Sequence, residues 1–291
     1  MSKVAVLTDS ASDIPYDLAD KYGIDIMCFG ITVDGESYTE RKDFDFDEFY
    51  KIARTCQNVP TTSHITSIQF FEKYCEYDDK GYTDILHVTI NRTGSATYDA
   101  AVMAEQQFRE ERASSKLKIH LVDSHTYSLV YGWFVCEAAK KLKNGAEVAD
   151  VVEYLNDVFA RMEIALASYT LKFMKKSGRI SAAAAFAGEL LGLKPIISLN
   201  DGVSSVENKV RGDAAVIPAL ISLAKKNMTL DNTDYFIGTT DNDERTAELV
   251  KMCKKEFGHP PISVFKLGAA VTINAGPEAV AIVYYGRKRR R

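Results

Sequence analysis

The sequence contains none of the short motifs that identify most nucleotide-dependent enzymes and hydrolases. It has no G-x-G-x-x-G, no G-x-x-x-x-G-K-[ST], no H-E-x-x-H and no G-x-S-x-G. These patterns place glycines against phosphate groups, histidines on a zinc ion, or a nucleophilic serine on a sharp turn. Their absence argues against dinucleotide-binding, P-loop, zinc-peptidase and ordinary serine-hydrolase functions.

Paired cysteines and clustered histidines are also missing. The five cysteines lie far apart without a C-x-x-C pair, at Cys28, Cys56, Cys75, Cys136 and Cys253. This spacing argues against a disulfide framework and a zinc site, and it predicts reduced thiols that are mostly buried. The histidines are scattered as well, so we expect no metal. Because the cofactor-binding motifs are missing, we expect no cofactor either.

Long uncharged apolar runs and a strong excess of one charge are absent too. Asp9 follows an apolar run that is too short for a signal peptide, and no run approaches the length of a membrane span. We therefore predict a cytoplasmic protein. A net charge of -4 gives no general attraction to nucleic acid. The basic tail 287–291 is a local exception that we expect to be solvated, with at most transient membrane contact.

Short apolar runs followed by helix-start signals recur in the first half of the chain. Residues 3–8 lead into Asp13-Ile14-Pro15, residues 84–89 precede a helix that begins near Thr97, and residues 118–122 form a third run. Strands that alternate with helices imply parallel βαβ units. The first half is therefore predicted to be an α/β domain with a parallel sheet.

The second half is predicted to form another α/β domain. After a strand at 164–168 we expect a helix over 181–191, a hairpin over Asn200-Asp201-Gly202 and a helix over 213–226. Further strands are predicted near Tyr235, Ser263, Thr272 and Val280. Because no flexible linker marks residue 160, the predicted division is a domain 1–160, a domain 161–286 packed closely against it, and the tail.

Polar residues follow each of the three predicted parallel strands, at Asp9-Ser10, Asn91-Arg92 and Asp123-Ser124. In open parallel sheets, ligands bind beyond the carboxyl ends of the strands, so we expect a polar rim there. The alternative is that Asp9, Ser10, Asp123 and Ser124 cap the helices that follow.

The other polar groups near the predicted strand ends are hydroxyls and an amide, on Thr62, Ser63, Thr89, Asn91, Thr93 and Ser95. Such groups can hold a carboxylate through hydrogen bonds without a general base, or they can satisfy turns and caps. The apolar residues 182–187 and 190–191 exceed what the core face of a short helix requires. That helix is either buried on all sides or lines an apolar cavity.

Eight segments in register resemble motifs of the DegV family. Residues 8–15 (TDSASDIP) resemble the opening of these proteins, and Pro60-Thr61-Thr62-Ser63 resembles their proline-x-threonine-serine loop. Residues 93–98 (TGSATY) and Val122-Asp123-Ser124 are similar to the turn and strand end that follow. The other four segments are 176–181 (KSGRIS), 193–197 (LKPII), 209–212 (KVRG) and 275–277 (AGP).

The resemblance implies two α/β domains, with a parallel sheet in the N-terminal domain and a mixed sheet in the C-terminal domain, that hold a long-chain, palmitate-like fatty acid between them. It also implies a separate fatty acid kinase that receives the carboxylate and makes acyl phosphate, so that this chain is not an enzyme. The implied carboxylate contacts are Thr62, Asn91, Arg92 and Asn274. The residues expected behind them are Ser63, Ser95, Asp9, Ser10, Asp123, Ser124 and Glu278. Arg211 matches an arginine near the family's partner-facing surface, and Arg179 matches a structural one.

The sequence departs from the family pattern at the head group. Asn91 and Arg92 replace paired serines, Asn274 replaces a histidine, and Glu278 replaces a glycine. We expect Arg92 to contact the carboxylate while Glu278 orients Arg92 from behind. In the opposing interpretation, Glu278 pairs with Arg92 and fills the position of the carboxylate.

Two other functions remain compatible with the sequence. A hydrolase or transferase acting on a small carboxylate would use Asp9, Asp123 and Ser95, but a catalytic serine needs a base within hydrogen-bond reach, and no histidine stands at a motif position. A degenerate family member would have lost acyl binding and would act only through protein contacts.

Overall fold

The structure is a computed structural model that describes residues 3–186, 192–240 and 243–289. The chain divides into two compact units. Unit 1 contains Met1–Gly30 and Ser63–Phe159, and unit 2 contains Ile31–Thr62 and Ala160–Arg291. Across the described ranges, no helix is both long enough and apolar enough to cross a bilayer.

The strands are, in chain order, β1 (Val4–Asp9), β2 (Ile24–Met27), β3 (Gly30–Val33), β4 (Glu36–Thr39), β5 (Thr61–Ser63), β6 (Asp84–Thr89), β7 (Lys118–Asp123), β8 (Met162–Ser168), β9 (Leu193–Asn200), β10 (Val203–Arg211), β11 (Tyr235–Thr239), β12 (Ser263–Lys266) and β13 (Ala279–Tyr285). The helices are α1 (Tyr16–Tyr22), α2 (Phe46–Thr55), α3 (Ser67–Asp79), α4 (Thr97–Glu111), α5 (Leu129–Lys143), α6 (Val148–Phe159), α7 (Lys172–Ser177), α8 (Ser181–Ala184), α9 (Val216–Asn227), α10 (Asp243–Phe257) and α11 (Ala269–Ala275).

A parallel sheet forms the centre of unit 1, with strand order β2-β1-β6-β7. The register places Thr8 beside Val88 and Thr89 beside Asp123, so the carboxyl ends of β1, β6 and β7 lie at one edge of the sheet. Helices α3 and α4 pack together, and α5 packs against α1 and α6. The parallel sheet predicted from alternating strands and helices is confirmed.

A mixed sheet of order β10-β9-β8-β13-β11-β12 forms the centre of unit 2. Strands β11 and β12 pair in parallel, and the other neighbours run antiparallel. The hairpin between β9 and β10 turns at Asp201 and Gly202, whose φ angles of 51° and 78° are typical of a tight two-residue hairpin turn. The mixed sheet implied by the family resemblance is therefore present.

Residues 31–62 belong to unit 2, which differs from the contiguous domain 1–160 that we predicted. Strands β4, β3 and β5 form a small sheet, and the apolar face of α2 packs against residues from α7 and α11. Tyr50 in α2 also donates a hydrogen bond to the carbonyl of Leu267, with an O···O distance of 2.6 Å. The sequence pattern marks the apolar face of α2, but it does not reveal which core covers that face.

Two predicted elements of the second half require correction. Thr272 lies in helix α11 rather than in a strand, because burial of one helical face outweighs the β preference of Val271, Thr272 and Ile273. Helix α8 ends at Ala184 and is shorter than the predicted helix over 181–191. Residues 187–191 of that apolar segment lie outside the described residues.

The basic tail begins with residues that return to unit 2. The backbone N–H of Arg289 donates to the carbonyl of Ala160 at 3.0 Å, and its guanidinium donates to the carbonyl of Met162, also at 3.0 Å. This part of the tail is therefore attached to the start of β8 instead of being fully solvated. All five cysteines are free thiols, and burial raises the pKa of both Cys136 and Cys253 to about 12.

Candidate functional site

Asp9, at the end of β1, is a fully buried carboxylate that accepts hydrogen bonds within unit 1. Its Oδ2 accepts from the backbone N–H of Ile90 at 2.8 Å, and its Oδ1 accepts from the hydroxyl of Tyr131 at 2.6 Å and the N–H of Ala11 at 3.1 Å. The neighbouring hydroxyl oxygen of Ser10 accepts from the N–H of Phe29 at 2.9 Å. Only the bond from Ala11 caps the short helix that follows β1, and the other bonds connect the end of β1 to segments elsewhere in unit 1.

Asp123 and Ser124, at the end of β7, also hold backbone groups. Asp123 Oδ1 accepts from the N–H of His125 at 2.8 Å and from that of Arg92 at 3.2 Å. The hydroxyl of Ser124 donates to the carbonyl oxygen of Thr126 at 3.1 Å and accepts from the N–H of Thr126 at 3.3 Å. Both residues therefore shape the loop after β7.

Asn91 differs from these residues because one polar atom of its side chain forms no hydrogen bond in the described chain. Its Oδ1 accepts from the N–H of Thr93 at 2.7 Å and from the hydroxyl of Thr93 at 2.8 Å, which fixes the orientation of the amide. Asn91 is fully buried, and its Nδ2 has no hydrogen-bond partner in the described chain. The carboxyl end of β6 thus presents a buried donor that can receive a ligand oxygen.

Arg92 is held by the first turn of α4. Its Nε lies 2.8 Å from Asp99 Oδ1, its guanidinium lies 5.4 Å from the ring centroid of Tyr98, and its side chain is 57% exposed. In unit 2, Glu278 Oε2 lies 3.9 Å from Arg245 Nη1. Each member of the expected Arg92–Glu278 pair therefore has a different ionic partner within its own unit.

Thr62 and Ser63 lie in β5, where Thr62 is partly buried and Ser63 is exposed. The start of β3 approaches this strand closely. A Cβ on Gly30 would lie 2.3 Å from Ser63 Oγ, so a larger residue at position 30 would displace the serine hydroxyl. Glycine at position 30 therefore permits the observed position of Ser63.

Asn274 is carried by α11 and anchored within unit 2. Its Nδ2 donates to the carbonyl of Ala270 at 2.7 Å, and the N–H of Ala270 donates to Glu40 Oε1 at 2.7 Å. Glu40 is only 1% exposed, so a buried carboxylate holds the first turn of the helix that bears Asn274. Sequence reasoning missed Glu40, because nothing local to residue 40 indicates a helix that begins more than two hundred residues later.

Ser95 does not have the surroundings of an activated nucleophile. In the described chain its hydroxyl bonds to the hydroxyl of Thr97 at 2.8 Å and accepts from the N–H of Thr97 at 3.3 Å, and neither group is a base. His125 contacts Asp123, and His120 contacts Asp84. Among the residues that the structure describes, no three His, Cys, Asp or Glu side chains gather into a metal-binding group.

A groove of about 460 Å³ lies in unit 2, a size typical of small-molecule pockets. Its lining residues are Ala182, Ala185, Phe186, Ser204, Ser205, Val206 and Lys209. The ammonium of Lys209 lies 5.7 Å from the ring centroid of Phe186. The described part of the alanine-rich segment therefore contributes Ala182, Ala185 and Phe186 to the wall of this groove.

Comparisons with known proteins identify the family. A family model described as an uncharacterised protein of the DegV family matches residues 3–287. A DegV domain-containing protein of Clostridium perfringens is 30% identical over 282 residues, which cover 97% of this chain and 98% of that protein.

Two solved structures have the same fold. A DegV family protein from Thermus thermophilus, described by its fatty acid binding, is 25% identical with a TM-score of 0.81 and covers 98% of this chain and 100% of its own. A stearic acid-binding protein from Eubacterium ventriosum is 22% identical with a TM-score of 0.85, and the match covers 98% of each chain. The resemblance found in the sequence is confirmed across nearly its whole length, and the chain belongs to the DegV family.

Proposed function

We propose that this protein binds a long-chain, palmitate-like fatty acid and presents its carboxylate to a separate kinase that makes acyl phosphate. The observation that carries the proposal is the match over 98% of the chain to the Thermus thermophilus protein that is described by its fatty acid binding. The proposed carboxylate contacts are Thr62, Asn91, Arg92 and Asn274. The five free cysteines fit a reducing cytoplasm, where we place this activity.

The unpaired Nδ2 donor of Asn91 supports fatty acid binding. A buried N–H without a partner costs about 1–3 kcal/mol, and a carboxylate oxygen would satisfy it. The acyl chain supplies the larger part of the binding free energy. Each buried methylene contributes about 0.8 kcal/mol, which amounts to roughly 12 kcal/mol for a chain of about sixteen carbons. This gain offsets the translational, rotational and conformational freedom lost on binding, which costs about 4–15 kcal/mol.

The protein acts in this proposal as a carrier without catalytic activity. Asp9 and Asp123, the carboxylates considered for a hydrolase or transferase, hold backbone N–H groups. Ser95 is bonded to Thr97 and not to a base. These contacts favour a binding site over a nucleophile–base pair.

Palmitate titration tests the proposal. Palmitate at about one hundred times its Kd should stabilise the protein by about 2.7 kcal/mol, which corresponds to a rise of several degrees in Tm. Methyl palmitate is the control, because it has the same chain but cannot form a carboxylate. The absence of both binding heat and a Tm shift with palmitate would contradict the proposal and favour the degenerate-member alternative.

We expect Arg92→Ser to weaken palmitate binding by only about two- to threefold, because the guanidinium is largely exposed and already paired with Asp99. Asp99→Asn should have the opposite effect and tighten binding by a similar factor, because it frees the guanidinium for the ligand. Calorimetric titration of both variants gives the comparison. Tighter binding by Arg92→Ser would indicate that Arg92 fills the carboxylate position, and unchanged binding would place Arg92 in solvent.

Arg211 is proposed to act at the surface that meets the kinase. It lies exposed at the end of β10, where an arginine can form paired hydrogen bonds with a carboxylate or phosphate on another protein. Arg211→Ala should change the unfolding free energy by less than about 0.5 kcal/mol and leave palmitate affinity unchanged. Acyl phosphate formation with the cognate kinase should fall. A large loss of stability would instead show that Arg211 supports the fold.

A further inference from the structure

Thr126 carries a second buried polar group that the family resemblance did not point to. The residue is only 2% exposed, and its hydroxyl has no hydrogen-bond partner in the described part of the chain. It is also a direct neighbour of Asn91, whose backbone N–H donates to the carbonyl of Thr126 at 3.1 Å. Two adjoining residues at the carboxyl end of the unit 1 sheet therefore each hold an unsatisfied side-chain group.

The backbone around Thr126 is fixed on both sides. His125 and Ser128 have φ angles of 54° and 61°, a left-handed region that residues other than glycine rarely adopt. The N–H of His125 is bonded to Asp123, and the hydroxyl of Ser128 donates to Asp13. Strained backbone of this kind persists where the surrounding structure holds it, and it is common at binding sites.

The Asn91 amide nitrogen and the Thr126 hydroxyl can both donate a hydrogen bond to the same kind of ligand atom. The orientation of the Asn91 amide is set by Thr93, so the group that remains is the Nδ2 donor. The Thr126 hydroxyl can also donate a hydrogen bond. The backbone N–H and carbonyl of Thr126 are already bonded to the Ser124 hydroxyl. Two neutral donors are suited to an acceptor ligand such as a carboxylate oxygen.

We propose that Thr126 is a further head-group residue, whose hydroxyl donates to the fatty carboxylate beside the amide of Asn91. This inference rests on the proposed fatty acid binding and adds a specificity-determining residue to it. Thr126 discriminates a carboxylate from a neutral ester, because an anionic oxygen accepts a stronger hydrogen bond than an ester oxygen does.

The test compares Thr126→Val, which removes the hydroxyl at nearly constant volume, with Thr126→Ser, which keeps it. Thr126→Val should bind palmitate about tenfold more weakly and lose much of its preference for palmitate over methyl palmitate. Without ligand, its Tm should be equal to or above that of the parent protein, because an unpartnered buried hydroxyl is replaced by a methyl group. Thr126→Ser should retain the preference.

Thr8→Val is the matched control. The hydroxyl of the fully buried Thr8 donates to the carbonyl of Val88 at 2.8 Å, so its removal should lower Tm without changing palmitate affinity. Unchanged palmitate binding by Thr126→Val would overturn the inference while leaving the proposed function intact. A lowered Tm in Thr126→Val without a change in ligand preference would assign Thr126 a structural role and also overturn it. If the parent protein does not bind palmitate, both the inference and the proposed function fail.

Discussion

Asp9→Asn is expected to destabilise the protein by about 3–5 kcal/mol, although it hardly changes the volume of the side chain. The carboxylate accepts hydrogen bonds from Ile90, Ala11 and Tyr131 inside unit 1. An asparagine offers one acceptor oxygen and turns its NH₂ group toward a donor, so at least one buried N–H or O–H loses its partner. Breaking a buried, charged hydrogen-bond network typically costs this much. Urea unfolding followed by circular dichroism measures the change.

Tyr131→Phe is the control for this prediction. It removes the hydroxyl that donates to Asp9 and leaves the hydrogen bonds from Ile90 and Ala11 in place, so the expected loss is about 1 kcal/mol. If Asp9→Asn retained full stability while a hydrolase or transferase activity disappeared, Asp9 would be a catalytic residue. That result would favour the enzymatic alternative over the carrier.

Acidification below pH 6.5 is expected to destabilise unit 1 through His87. Burial lowers the pKa of His87 to about 3, whereas an unfolded histidine titrates near 6.5. Between these values the unfolded chain binds a proton that the folded chain does not bind. The contribution of His87 to stability is therefore complete above pH 6.5 and falls by about 1.4 kcal/mol for each pH unit below it. Urea unfolding at pH 7, 6, 5 and 4 measures this slope.

A double variant isolates the effect of His87. The side chain bonds through Nδ1 to the hydroxyl of Tyr74 at 2.8 Å, and its ring centroid lies 4.8 Å from that of Phe70. Tyr74→Phe combined with His87→Phe replaces both polar partners by apolar rings, which keeps the core filled and leaves neither group unpaired. The double variant should lose the part of the pH dependence between pH 6.5 and 4 that His87 contributes. An unchanged slope would show that other groups cause it.

The parallel sheet of unit 1 could be predicted from the sequence because its determinants are local. Each apolar run is followed by a helix-start signal, and parallel strands bring such polar ends to one edge of a sheet. Local signals were insufficient for α11, where Val271, Thr272 and Ile273 favour a strand. Burial against α2 and α7 makes that segment a helix.

The remaining features depend on contacts that no local pattern in the sequence records. Glu40 holds α11 across 230 positions of sequence, and no pattern near residue 40 records that contact. We also expected Arg92 to pair with Glu278, because both residues depart from the family motifs, whereas the ionic partner of Arg92 in the structure is Asp99 in the first turn of α4. Burial and hydrogen bonding also distinguish Thr126 from the other hydroxyls, and neither can be deduced from the sequence.

Denaturing mass spectrometry of lipid extracted from the purified protein tests the central claim most directly. Burial of a chain of about sixteen carbons should let the ligand survive purification. We predict one long-chain fatty acid for each protein chain, with a free carboxylate. Extraction of no lipid, or of a neutral lipid alone, would contradict the account.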